Sequence, residues 1–176
     1  MGVRYGSPDE NAPGAATWGD GEFRLGSSVV GISLARIMTS GMHRLVLLVA
    51  AACGSASLTH FAHNAEFCGD YPNLPAWITR GSVWLAWAGL TLFGGAGLWL
   101  LRGGYRKSGL GLLAVYGALG CAGLGHYSLA PIARHTAMMN FSIWFEAVAG
   151  LLLFAVALGA LIGEARHRLP RGLPEV

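Results

Sequence analysis

The sequence predicts an all-α integral membrane protein: a four-transmembrane-helix bundle with both termini cytoplasmic and an N-terminal interfacial helix before the first span. Three observations carry this expectation. Of 176 residues, 53% are hydrophobic and 12% charged, a balance that argues against folding in water. Four apolar stretches, at 45–61, 82–101, 109–129 and 137–163, approach or exceed the ~20 residues needed to cross a bilayer. Basic residues cluster on one side of these spans: Arg36 and Arg44 precede the first, Arg102, Arg106 and Lys107 separate the second from the third, and Arg166, Arg168 and Arg171 come after the fourth. Under the positive-inside rule that side is cytoplasmic. The expected location is the cell inner (cytoplasmic) membrane, of the bacterial type, in multi-pass form. The clusters account for the formal net charge of +3, so nucleic-acid binding is not expected.

Residues 1–25 are rich in Gly, Pro, Ala and small polar types and read as a disordered cytoplasmic tail. They lack a basic region feeding an apolar core, so no cleavable signal is expected and the first span serves as its own signal. At 26–42, Val30, Leu34, Ile37 and Met38 recur at helical spacing with Arg36 off the stripe. This segment is too short and too charged for a fifth span, and an interfacial helix fits it better. The transmembrane domain then covers 43–165, with a basic cytoplasmic tail after it at 166–176.

Four of the six histidines fall where apolar segments meet short connections on the outward side. His60, His63 and Asn64 share a broad helix face at the end of the first span. The connection after this span carries Tyr71, Pro72, Pro75 and Trp77 and reads either as an ordered lid over the bundle mouth or as an aromatic belt. Trp84 and Trp87 extend aromatic material into the second span, where they are placed to line a pocket. In the third span Gly117, Gly120 and Gly123 offer small surfaces for close helix packing, which would draw His126 toward its neighbours. The fourth helix is expected to start near Pro131, giving one stripe of His135, Met139, Ser142 and Glu146. Glu146 is the only acid deep in a span. Exposed to lipid it would cost about 3 kcal/mol, so it should face the bundle, protonated or paired.

These residues suggest a metal site of His60, His63, His126 and His135, taking Cu, Fe or Zn, with Glu146 deeper as a proton carrier and His135 as its catalytic companion. Asn64, Trp84 and Trp87 would line the cofactor pocket. The protein would then be a small membrane metalloprotein, an oxidoreductase acting on a hydrophobic small molecule that enters from the lipid bilayer. Three alternatives stand beside it: non-covalent haem b between two axial histidines, metal-independent acid–base isomerisation of a lipid, and a non-enzymatic accessory subunit. Partners of the last kind would be a second copy in a homodimer or another membrane protein. Cys53, Cys68 and Cys121 form no CxxC pair, which argues against thiol–disulfide chemistry.

Overall fold

A computed structural model describes residue 2 and residues 23–167, with side chains placed for 41–166. The expectations for the tail at 1–22, the side-chain stripe of the interfacial helix and the end of the basic tail lie outside the described residues. The chain divides into two compact units, Met1–Met38 and Thr39–Val176. In the first, the described backbone is helical from Phe23 onward. The second contains the helix bundle with its buried polar groups.

Five α-helices order the described residues: α1 (Phe23–Glu66), α2 (Arg80–Arg102), α3 (Arg106–Leu119), α4 (His126–Leu129) and α5 (Ala137–His167). Among the described residues, four segments are long and apolar enough to cross a membrane: Gly41–Glu66 within α1, α2 itself, Arg106–Leu129 spanning α3 and α4, and Ala137–Arg166 within α5. This is an all-α membrane protein with four helices of spanning length. Leu85, Leu92 and Trp99 on α2 are each more than 70% exposed, which in water would be costly and in lipid is the outer surface of a bundle.

Local chemistry sets the helix limits. Thr79 caps α2 in a reciprocal capping box with Ser82. The helix ends in a Schellman turn, in which Tyr105 N–H bonds the Leu100 carbonyl at 2.9 Å and Gly104 N–H the Leu101 carbonyl at 3.3 Å. Gly104 adopts φ +83°, a conformation open to glycine without strain. At the opposite end, Arg80 bridges to Glu66 at 2.7 Å, joining the start of α2 to the end of α1. A second ion pair, Arg106 with Glu164, ties α3 to α5.

Glycine lets the helices approach. A Cβ on Gly97 would stand 2.9 Å from the Leu113 side chain and 3.1 Å from the Gly109 carbonyl, so α2 and α3 meet almost backbone to backbone. Gly117 and Gly150 do the same between α3 and α5. Around these contacts Val46, Cys53, Leu110, Leu113, Leu153 and Ala157 close a dense core.

Two departures from the expected helices shape the site. The third span is not one regular helix: Gly120–Gly125 winds as a 3-10 segment between α3 and α4. Its glycines at 120, 123 and 125 weaken the α-helix, and the tighter winding brings Gly120 and Gly123 against α5. The fourth helix does not start near Pro131. A short 3-10 turn covers Ile132–Arg134, His135 is extended, and α5 starts at Ala137 with Thr136 Oγ1 accepting from Met139 N–H at 3.2 Å.

Candidate functional site

α1, α4, α5 and their connections bring a polar group together inside an otherwise apolar bundle. His60, Ser142 and Glu146 are each 2% exposed or less, with Ser57, Asn64 and His135 also buried. The predicted stripe on α5 therefore faces inward at Met139, Ser142 and Glu146. His135 reaches the same interior from the extended segment before the helix, rather than from the helix face.

The hydrogen bonds assign most of the protons. Ser142 Oγ donates its single proton to the Met139 carbonyl at 3.0 Å. It must therefore accept from His60, whose Nδ1 lies 3.3 Å away. That leaves His60 Nε2 facing the Glu146 carboxyl at 3.7 Å, a gap slightly longer than a hydrogen bond. Gly123 borders this pair, since a Cβ there would lie 3.3 Å from both His60 Nε2 and Glu146 Oε2. Ser57 stands within reach of the same carboxyl.

From His60 the ring contacts run toward the Phe67–Thr79 connection. His126 packs edge-on against His60 with centroids 5.6 Å apart, and Tyr71 lies tilted over His126 at 4.8 Å. His126 Nε2 accepts from Asn64 Nδ2 at 3.3 Å. Tyr71 hydroxyl and His63 Nδ1 hydrogen-bond at 2.9 Å, and His63 is only partly buried. Burial pushes the Tyr71 phenol up to about 12, so the hydroxyl keeps its proton at neutral pH. His135 Nδ1 donates to the Pro131 carbonyl at 3.2 Å, which leaves its Nε2 a buried lone pair with no partner among the described residues.

Tyr71, 3% exposed, makes the Phe67–Thr79 connection a cover over the histidines, while Trp77 at 76% exposed points away. Asn73 holds the cover down by donating to the Leu129 carbonyl at 2.8 Å. Tyr71→Phe is expected to cost about 1 kcal/mol of stability through the lost bond to His63. Tyr71→Ala, which also strips the ring from His126, should cost about 3 kcal/mol. Unfolding of detergent-solubilised protein would measure both, and equal losses would show that the ring covers nothing of consequence.

Of the residues singled out from the sequence, His60, His63, Asn64, His126, His135 and Glu146 are joined in this one network, either directly or through Tyr71 and Ser142. Trp84 and Trp87 pack edge-to-face on each other at 5.7 Å, and their described ring contacts do not include the histidines. Among the described residues, no three or more His, Cys, Asp or Glu side chains form a group that could hold a metal ion. Asn140 serves as a cross-connection between α4 and α5, accepting from the Tyr127 hydroxyl at 2.8 Å. Sequence reasoning missed Ser57 and Gly123. Ser57 could have been found three residues before His60 on the same helix face, whereas nothing distinguished Gly123 from the other glycines of its span.

The class defined by fold and site is a small four-span membrane protein with a buried histidine–carboxylate network at one end of its bundle. Compared with family models, with curated proteins and with solved structures, the chain matches none.

Proposed function

We propose that this protein is a bilayer-embedded acid–base enzyme that shifts a carbon–carbon double bond in a lipid-soluble molecule. One observation carries the reading: His60 Nε2, with its other nitrogen committed to Ser142, faces the buried Glu146 carboxyl across 3.7 Å. The Glu146 carboxyl gives its proton to one alkene carbon. His60 Nε2 removes a proton from the carbon next to the resulting cationic centre, and the double bond re-forms one position along. The imidazolium then returns its proton to the Glu146 carboxylate. Atoms and charge balance, and no oxidant or reductant is consumed. His126, Tyr71 and His63 connect the pair to the bundle end for exchange with solvent, and the positive-inside pattern orients that end outward, with the termini cytoplasmic.

A specific observation favours a second reading, in which a transition metal or haem iron occupies the histidine end: the buried His135 Nε2 lone pair lacks a partner among the described residues. His60 could ligate beside it through Nε2 with its Nδ1 bond to Ser142 intact, whereas His126 would have to release its Nε2 from Asn64.

One experiment separates the two. Purified protein in lipid nanodiscs is incubated in deuterated water with a mixture of polyprenols, sterols and unsaturated fatty acids, and the products are read by mass spectrometry. The acid–base reading expects isomerised lipid carrying one deuterium, unaffected by chelator and lost in His60→Gln. Deuteration no faster than in empty nanodiscs would refute it, and chelator-sensitive turnover with stoichiometric metal would establish the second reading instead.

A further inference from the structure

A second polar group, joined to the histidine network only through Ser57 beside Glu146, lies between α1, α2 and α3. Its members are Ser57 on α1, Trp87 and Thr91 on α2, and Tyr116 on α3. The Tyr116 ring is seated on Gly94, where an added Cβ would meet the ring at 2.9 Å. From there its hydroxyl extends toward Thr91 and Ser57. Tyr116 is 5% exposed and Ser57 2%. Yet the Tyr116 hydroxyl, Thr91 Oγ1 and Trp87 Nε1 are all buried without a well-formed hydrogen bond among the described residues.

Leaving three such atoms unpaired in the bundle interior is costly, because each forfeits its hydration without replacement. Trp87 and Thr91 are four residues apart on α2 and so share a face one turn apart. Trp87 and Thr91 therefore stand on one face of α2, and Thr91 lies within reach of Tyr116 on the neighbouring helix. Their chemistry is specific. The indole N–H can only donate, and the hydroxyls donate or accept, so together they suit an oxygen that offers lone pairs. None of the four side chains is charged, which disfavours an anion or a cation.

We infer that Ser57, Trp87, Thr91 and Tyr116 form a binding site for the neutral oxygen, hydroxyl or carbonyl, of a lipid-soluble molecule. Ser57 stands beside both Tyr116 and Glu146, so an oxygen held here places the attached hydrocarbon next to the carboxyl. The site thereby names the substrate class for the proposed chemistry, a hydrocarbon skeleton with one neutral oxygenated end. Its part in turnover rests on that chemistry, whereas binding of the oxygen does not.

The test reads binding without turnover. Four diazirine-bearing probes of equal chain length, ending in an alcohol, a ketone, a carboxylate or a methyl group, are photolysed with nanodisc-embedded protein, and labelled peptides are identified by mass spectrometry. The alcohol and ketone are expected to label the peptides containing Thr91 and Tyr116. The methyl-ended and carboxylate probes should label only the lipid-facing surface. Tyr116→Phe or Thr91→Val should each lower the specific labelling about fivefold, and the pair together more than tenfold. Each should lower the melting temperature only slightly, since the hydroxyl removed has polar neighbours within reach but makes no well-formed hydrogen bond among the described residues. Equal labelling by the methyl-ended probe, or undiminished labelling in the double variant, would overturn the site. A markedly reduced melting temperature with undiminished labelling would do so as well, by showing that the hydroxyls serve the fold. Loss of deuterium transfer with intact oxygen-dependent labelling would refute the chemistry and leave the site standing.

Discussion

Replacing Gly150 with alanine is expected to destabilise the bundle by about 3 kcal/mol, at the upper end of what overpacking usually costs. The added Cβ would stand 2.5 Å from the Gly117 carbonyl oxygen and 3.0 Å from the Gly120 Cα. Both are backbone atoms, so no side chain can rotate aside, and α3 must move off α5 by a sizeable fraction of an ångström. Contacts along the whole seam weaken together, because dispersion falls steeply with distance. The control is on the same helix. Gly159 has nothing within 4 Å of its position for a Cβ, so Gly159→Ala should be neutral or slightly stabilising through better helix propensity. Denaturant titration in mixed micelles would compare the two, and equal stability of both variants would mean that the glycine seam does not hold α3 to α5.

Glu146→Gln is expected to reduce deuterium transfer into lipid by at least about 100-fold, the lower range for removing a general acid. The amide fills nearly the same volume and can still hydrogen-bond, so stability should change by less than about 1 kcal/mol. Separating these two readouts is the purpose of the substitution. If Glu146 served only to fix helix register, the glutamine variant would keep its activity. Full activity in that variant would therefore remove the carboxyl from the mechanism, whatever its effect on folding. Oxygen-dependent labelling at Tyr116 should persist, because the amide leaves Ser57 and Thr91 in place.

The four spans were legible because membrane insertion is a matter of length and hydropathy, which are properties of consecutive residues. The inward face of α5 was legible as well. Met139, Ser142 and Glu146 recur at intervals of three and four, and all three are buried. The site was legible only in part. The expected division of an outer histidine group from a deeper acid gives way to a continuous network, since His60 of α1 stands beside Glu146 of α5. Counting residues along α5 from His135 could not reveal this, because the partner comes from another helix. The 3-10 segment at Gly120–Gly125 was hidden for a related reason. Glycine at intervals of three permits close packing in either winding, and the neighbouring α5 is part of what selects one.

By itself, then, the chain's order of apolar and charged residues determined four spanning helices and a polar layer near one end of them. Tertiary structure decided which polar groups meet: His60 with Glu146, Asn64 with His126, Tyr71 over the histidines, and Tyr116 with Thr91 and Ser57. The physical reason is one of range. Hydropathy and helical period act between neighbours along the chain, whereas lateral pairing depends on how closely glycine surfaces on different helices come together, and only the folded bundle sets that distance.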